Sequence, residues 1–262
     1  GSGPSAPSNP WICDSLMTTQ RLIFALMVLL GAGLVLLMGL PVLALMTSVT
    51  PTELLVAMGH PTFLSSLKLS LLTSIVSTGV VVVMGTPLAY IFARSSARWV
   101  KAVELLANLP IVLPPAVVGI ALLQTYGARG LLSGMGISLA FSTAAVIMAQ
   151  VVISAPFYLA AGAAAFRRID DELLLVARSL GASPSGAFLR VALPLALPGL
   201  IAGAALAWAR ALGEFGATLL FAGSLEGITM TMPLAIFTAL EGDVRVALAL
   251  AICLSAASLM AL

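Results

Sequence analysis

The chain has 262 residues, 61% hydrophobic and 8% charged, with a mean hydropathy of +1.15 and a formal net charge of +2. A soluble domain carries roughly three times that share of charge, so composition excludes the ordinary soluble classes and leaves a membrane protein with room for about six spans of about 20 residues. The small net charge argues against a nucleic-acid partner, the distant Cys13 and Cys253 against a disulfide framework, and a single histidine, His60, against a His/Cys metal site.

Residues to about Asn9 read as disordered, within an N-terminal tail drawn to residue 21. Leu22 to Met46 is the first span, too long for a signal-peptide core and without a convincing cleavage site. Thr47 to Pro61 reads as an outside loop, and Ser70 to Ala93 as the second span, followed by Arg94, Arg98 and Lys101. The third span, Leu105 to Tyr126, is interrupted by Pro110, Pro114 and Pro115. Paired prolines inside a span leave carbonyls without donors, tolerable only against protein or a water-filled path; a plain kink is the alternative. Gly127 to Gly136 is a Gly-rich loop, and Leu139 to Phe166 the fourth span, ending at Arg167-Arg168. Its AAGAAA run, Ala160 to Ala165, reads as ordinary membrane-helix composition.

Arg167 to Pro198 gathers four arginines and three acids between long apolar runs, and reads as a water-exposed loop of two short helices. Asp170 is the expected N-cap, with Asp171 and Glu172 in the first turn, where the helix dipole favours anions. Leu173, Leu174, Val176, Ala177 and Leu180 follow at helical spacing. Gly181 fits the left-handed position that closes a helix, Ser183 caps the next, and Pro184 occupies its first turn. Pro194 and Pro198 mark the return to the membrane. A helix–glycine–helix elbow held in water on a membrane protein is suited to being gripped by a partner.

Gly199 to about Ala222 is the fifth span, with Gly199-x-x-x-Gly203 permitting close helix approach. Arg210 and Glu214 lie near its middle at i, i+4 spacing, with Thr218 one turn further on. Charges at that depth are costly unless they face a partner or a wet cavity. They are either a self-neutralising pair or part of a translocation path in which Arg210 supplies positive potential to an anion. Thr229 to Asp243 is a short amphipathic segment, and Val244 to Leu262 the sixth span, which is barely long enough and lacks a basic anchor; the expectation is that the natural chain runs further. Arg21, Arg94, Arg98, Lys101, Arg167, Arg168, Arg178 and Arg190 fall on one side, and Lys68, Arg129 and Arg245 on the other. The positive-inside rule therefore puts both termini and the elbow in the cytoplasm.

The elbow resembles the cytoplasmic coupling loop of ABC-importer permeases, whose pattern is roughly Glu-Ala-Ala, three residues, Gly, then hydrophobic-x-Leu-Pro. Ala177, Gly181, Ala182, Ser183, Phe188, Val191, Leu193, Pro194, Pro198 and Gly199 fall in step with it, whereas Leu175 and Val176 stand where the pattern has Glu-Ala. With NLPIVLPPAVVG, WARALGEFGAT and TMTMPLAIFTALEGD, the stretch from roughly Phe63 to Leu262 is similar to the molybdate/tungstate branch of the molybdate–sulfate permeases. Leu22 to Met46 is then an additional span found in some members.

The resemblance implies an all-α polytopic protein with the type I ABC importer permease fold over residues 22–262, working as a homodimer in the cell membrane. It implies a non-catalytic subunit without cofactor, a cytoplasmic ABC ATPase dimer, an extracytoplasmic oxyanion-binding protein, and alternating access for a tetrahedral oxyanion. Glu172, Leu174, Leu175, Val176, Ala177, Arg178, Gly181, Ala182, Ser183 and Pro184 would form the ATPase contact, and Pro114, Pro115, Arg210, Glu214 and Thr218 the path or gate. Because Lys68 and Lys101 are the only lysines and neither follows a glycine, the chain has no P-loop, so ATP hydrolysis falls to a separate subunit. A sulfate/thiosulfate permease is the nearest alternative. An intramembrane enzyme is the alternative from another class, with no Ser/His, paired-Asp or HExxH set to support it.

Overall fold

A computed structural model describes the backbone of residues 10–261 and the side-chain surroundings of residues 20–259. It divides into two units, residues 1–50 and 51–262. The first unit is one helix, α1, Pro10–Thr47, which from Leu22 to Met46 is apolar around its circumference, as a helix solvated by lipid must be. The tail drawn to residue 21 is helical from Pro10, and Trp11 to Leu30 contains neither glycine nor proline to interrupt it. The disorder expected up to Asn9 lies outside the described residues.

The second unit is built on α3, Pro61–Arg94, which buries a polar face: Ser66, Ser70, Thr73, Ser74 and Ser77. Hydroxyls return protons to the preceding turn, as from Thr73 Oγ1 to the Leu69 carbonyl at 2.8 Å, which satisfies them without water. Several also bridge helices. Ser70 Oγ accepts from the Met232 amide at 2.7 Å, Ser74 Oγ accepts from Trp208 Nε1 at 2.9 Å, and Thr86 shares a proton with Tyr158 at 2.6 Å. These bonds bind α3 to α11, Met232–Gly242, to α9, Leu193–Leu212, and to α6, Thr143–Arg167.

Close approach supplies the rest, since lipid gives helices no hydrophobic reason to associate and packing must do the work. A Cβ at Gly199 would lie 2.5 Å from Ala165 Cβ, and one at Gly203 would lie 2.9 Å from Ala161 Cβ. A Cβ at Gly162 would lie 3.0 Å from Ala89 Cβ, and one at Gly85 would lie 2.8 Å from Tyr158 Cδ1. The AAGAAA run is thus a contact surface on both sides and not neutral composition. By this register α3 and α6 run parallel and α9 runs antiparallel to them.

The loop expected over Thr47 to Pro61 contains a short helix, α2, Pro51–Met58, which buries Ala57. Helix α3 starts at Pro61, where His60 caps it and Pro61 sets the first φ. Four described helices are long and apolar enough to cross a bilayer, or five if α4, Arg98–Val112, and α5, Pro115–Tyr126, count as one span bent by 116°. The sixth expected span is α12, Val244–Ala261, of which Val244–Leu259 counts among the shorter apolar helices. The fifth span is not continuous to Ala222: α9 closes at Leu212 and α10, Gly216–Ala222, begins after a break. The chain leaves the helix at Gly213, and Glu214 supplies a cap for the next one.

Candidate functional site

The elbow is two elements joined at a left-handed glycine. Helix α7, Asp171–Ser179, is capped by Asp170 Oδ1, which accepts from the Glu172 amide at 3.1 Å. Gly181 has φ +91°, a conformation that costs an L-residue about 1–2 kcal/mol. Ser183 Oγ accepts from the Gly186 amide at 3.1 Å and opens α8, Pro184–Ala187. The second short helix does not end there. It passes through one π-helical turn, Phe188–Ala192, directly into α9. The cause is Pro194, which has no N–H for the Arg190 carbonyl four residues back, so the helix widens and Leu193 donates to the Phe188 carbonyl instead.

Leu173, Leu175, Val176 and Leu180 are exposed, Leu180 to 84%. Leu174 is not part of that surface. It is 8% exposed and packs among Phe92, Phe166, Ile169 and Ala187. Its helical phase, shared with the half-buried Ala177, points at the chain's own spans, so Leu174 is corrected from contact residue to anchor. Glu172, Arg178, Gly181, Ser183 and Pro184 are exposed, and Ala182 is half-buried.

The second constellation is formed by the two breaks. Leu113 and Pro114 are extended, and α5 starts at Pro115. Helix α10 lies against α5 with the two beginnings together: a Cβ at Gly216 would lie 3.3 Å from Pro115 Cβ. One at Gly119 would lie 2.8 Å from the Ala217 carbonyl oxygen, so only glycine permits this approach. Arg210 Nη1 pairs with Glu214 Oε2 at 2.7 Å, the partners being 28% and 1% exposed. Glu214 Oε1 also accepts from the Ala217 amide at 2.8 Å. The carboxylate thus sits at the positive start of α10 and the guanidinium at the negative end of α9, an order the helix dipoles favour. Thr218 is fully buried and its hydroxyl has no hydrogen-bond partner among the described residues. Pro114, Pro115, Arg210, Glu214 and Thr218 therefore occupy one region, around two helix breaks in contact.

Residues 85–262 match the family described as the binding-protein-dependent transport system inner membrane component. The chain belongs to this family. It is a multi-pass membrane protein of the kind that the family comprises. The chain is 48% identical over 172 residues to the molybdenum transport system permease protein ModB of Mycobacterium bovis, covering 64% of this chain and 65% of that one. The alignment thus spans just under two thirds of the relative's length. A probable molybdenum ABC transporter permease protein of Haloferax volcanii is 37% identical over 197 residues, covering 75% and 73%. The fold matches that of a bacterial ABC transporter involved in the import of alginate, with a TM-score of 0.75 over 94% of both chains at 17% identity.

Three residues not included in the candidate site join the elbow to the spans: Arg94, Glu104 and Arg167. Arg94 and Arg167 entered the sequence reading as basic residues at span ends, Glu104 did not enter it, and no pairing among the three was read. Their partners are 63 to 77 residues away along the chain, a separation that no local pattern reveals.

Proposed function

We propose that this chain is the membrane-spanning subunit of an ATP-driven importer of molybdate, acting by alternating access. The observation that carries the reading is the elbow: an exposed apolar stripe on a capped, core-anchored helix that projects from the basic end of the spans. Leu175 and Val176 stand where ABC-importer permeases have Glu-Ala, so the grip of a cytoplasmic ATPase pair rests here on apolar burial, with Leu173 and Leu180 at its edges and Arg178 beside it. The molybdenum-transport relatives support the substrate. A binding protein on the opposite face delivers it, and a second copy of this chain completes the path. Both termini and the elbow face the cytoplasm, as the distribution of arginines favours.

The path in this reading runs beside the paired breaks. Glu214 occupies the start of α10 itself, and of the two charged partners the cation is the one with exposed surface, so an anion would meet positive potential balanced closely enough for release. Hinges of this kind absorb the φ/ψ changes of alternating access. The test of the carrying observation is copurification of the ATPase. Leu175→Asp with Val176→Asp should abolish it, whereas Leu131→Asp, 83% exposed on the loop after α5, should leave it intact. Retention of the ATPase by the double variant would overturn the proposal.

A further inference from the structure

Two arginines cap each other's helices at the base of the elbow. Arg94, the last residue of α3, donates through Nη2 to the carbonyls of Phe166 at 3.0 Å and Ile169 at 2.9 Å, and pairs through Nη1 with Asp171 at the start of α7. Arg167, the last residue of α6, returns the contact. Its Nη2 donates to the Phe92 carbonyl at 3.3 Å and to Glu104 Oε1 on α4 at 2.8 Å. Carbonyls at helix C-termini are acceptors without intrahelical donors and carry the negative end of the dipole, so each guanidinium holds the other helix's end.

The consequence lies in α4. Val100 is the buried residue in this helix, while Leu105, Leu106 and Val112 are well exposed. Helix α4 meets the elbow end at two points: Val100, buried in the cluster that holds Phe92, Phe166, Ile169 and Leu174, and Glu104, which pairs with Arg167. From Glu104 to the break after Val112 is eight residues, about 12 Å of helix. Asn108 Nδ2 donates to the Glu104 carbonyl at 2.8 Å within that segment, and Pro110 lies between Asn108 and the break. Contacts therefore run from α7 through Arg94 to the ends of α3 and α6, through Arg167 to Glu104, and along α4 to Pro114-Pro115.

We propose that Arg94, Arg167 and Glu104 form a clasp that transmits elbow movement to the α4–α5 break, acting as positioning residues for transport. The proposal rests on reading the elbow as the ATPase contact. Partly exposed ion pairs contribute little to folding, so the clasp's removal should show in coupling and not in assembly. Glu104→Gln, Arg167→Gln, their double variant and Arg167→Lys are placed in proteoliposomes with the ATPase and the binding protein, and molybdate imported per ATP hydrolysed is measured. Each Gln variant should lower that ratio at least fivefold with copurification and thermal unfolding unchanged. The double should be no worse than either single, and Arg167→Lys should recover part of the loss. An unchanged ratio in the Gln variants overturns the proposal, as does a fall that merely tracks lost stability or lost ATPase. If the unaltered chain binds no ATPase, the elbow reading fails first and takes the clasp with it.

Discussion

The Arg210–Glu214 pair separates structural from transport roles by four variants. Glu214 is 1% exposed and makes two contacts, with Arg210 at 2.7 Å and with the Ala217 amide at 2.8 Å. Arg210→Met leaves a carboxylate buried without its cation, and breaking a buried pair from one side costs about 3–5 kcal/mol. Glu214→Gln keeps an acceptor for Ala217 and strands a cation that is 28% exposed, so it should cost less. Arg210→Met with Glu214→Gln removes both charges and keeps the cap, and should approach the unaltered protein in stability. Replacing the Gln by Leu in that double deletes the cap as well, for a further loss of about 1 kcal/mol. Thermal unfolding of the purified proteins reads the order, and molybdate uptake reads the function. If the Met/Gln double is as unstable as Arg210→Met, ion pairing does not explain the site. If it transports at the full rate, Arg210 is structural and does not line the path.

Gly181→Val should abolish transport with expression retained, because φ +91° strains a β-branched residue although its Cβ would meet nothing within 4 Å; unchanged uptake and ATPase stimulation would refute this. Leu174→Ala should destabilise the permease by about 2–5 kcal/mol as a buried leucine, whereas Leu175→Ala should leave unfolding unchanged, and equal unfolding temperatures would contradict the assignment of faces. Gly203→Ile should separate α9 from α6, since even a Cβ would lie 2.9 Å from Ala161 Cβ, and should lower yield and unfolding temperature; an unaffected protein would show that the contact relaxes freely.

Much of the elbow was legible in the sequence because its determinants are local. Asp170, Gly181 and Ser183 act on amides and dihedrals within a few residues of themselves. The faces of α7 were less legible, since Leu173, Leu174 and Leu175 are the same residue in succession and helical phase alone could not say which one the protein's own spans would cover. The break at Gly213 was hidden because Arg210 and Glu214 at i, i+4 suit a continuous helix equally well. What decides it is the Ala217 amide taking the Glu214 carboxylate as a cap. The arginine clasp was invisible for a different reason: it joins the ends of α3 and α6 to the middle of α4, and charge counting records its arginines only as topology.

The most direct test is uptake of radiolabelled molybdate into proteoliposomes holding this permease and its ATPase, with binding protein outside and ATP inside. The account predicts accumulation that needs both ATP and binding protein, is outcompeted by unlabelled molybdate, and persists in a large excess of sulfate. Accumulation without ATP, or uptake that sulfate displaces as readily as molybdate does, would contradict it.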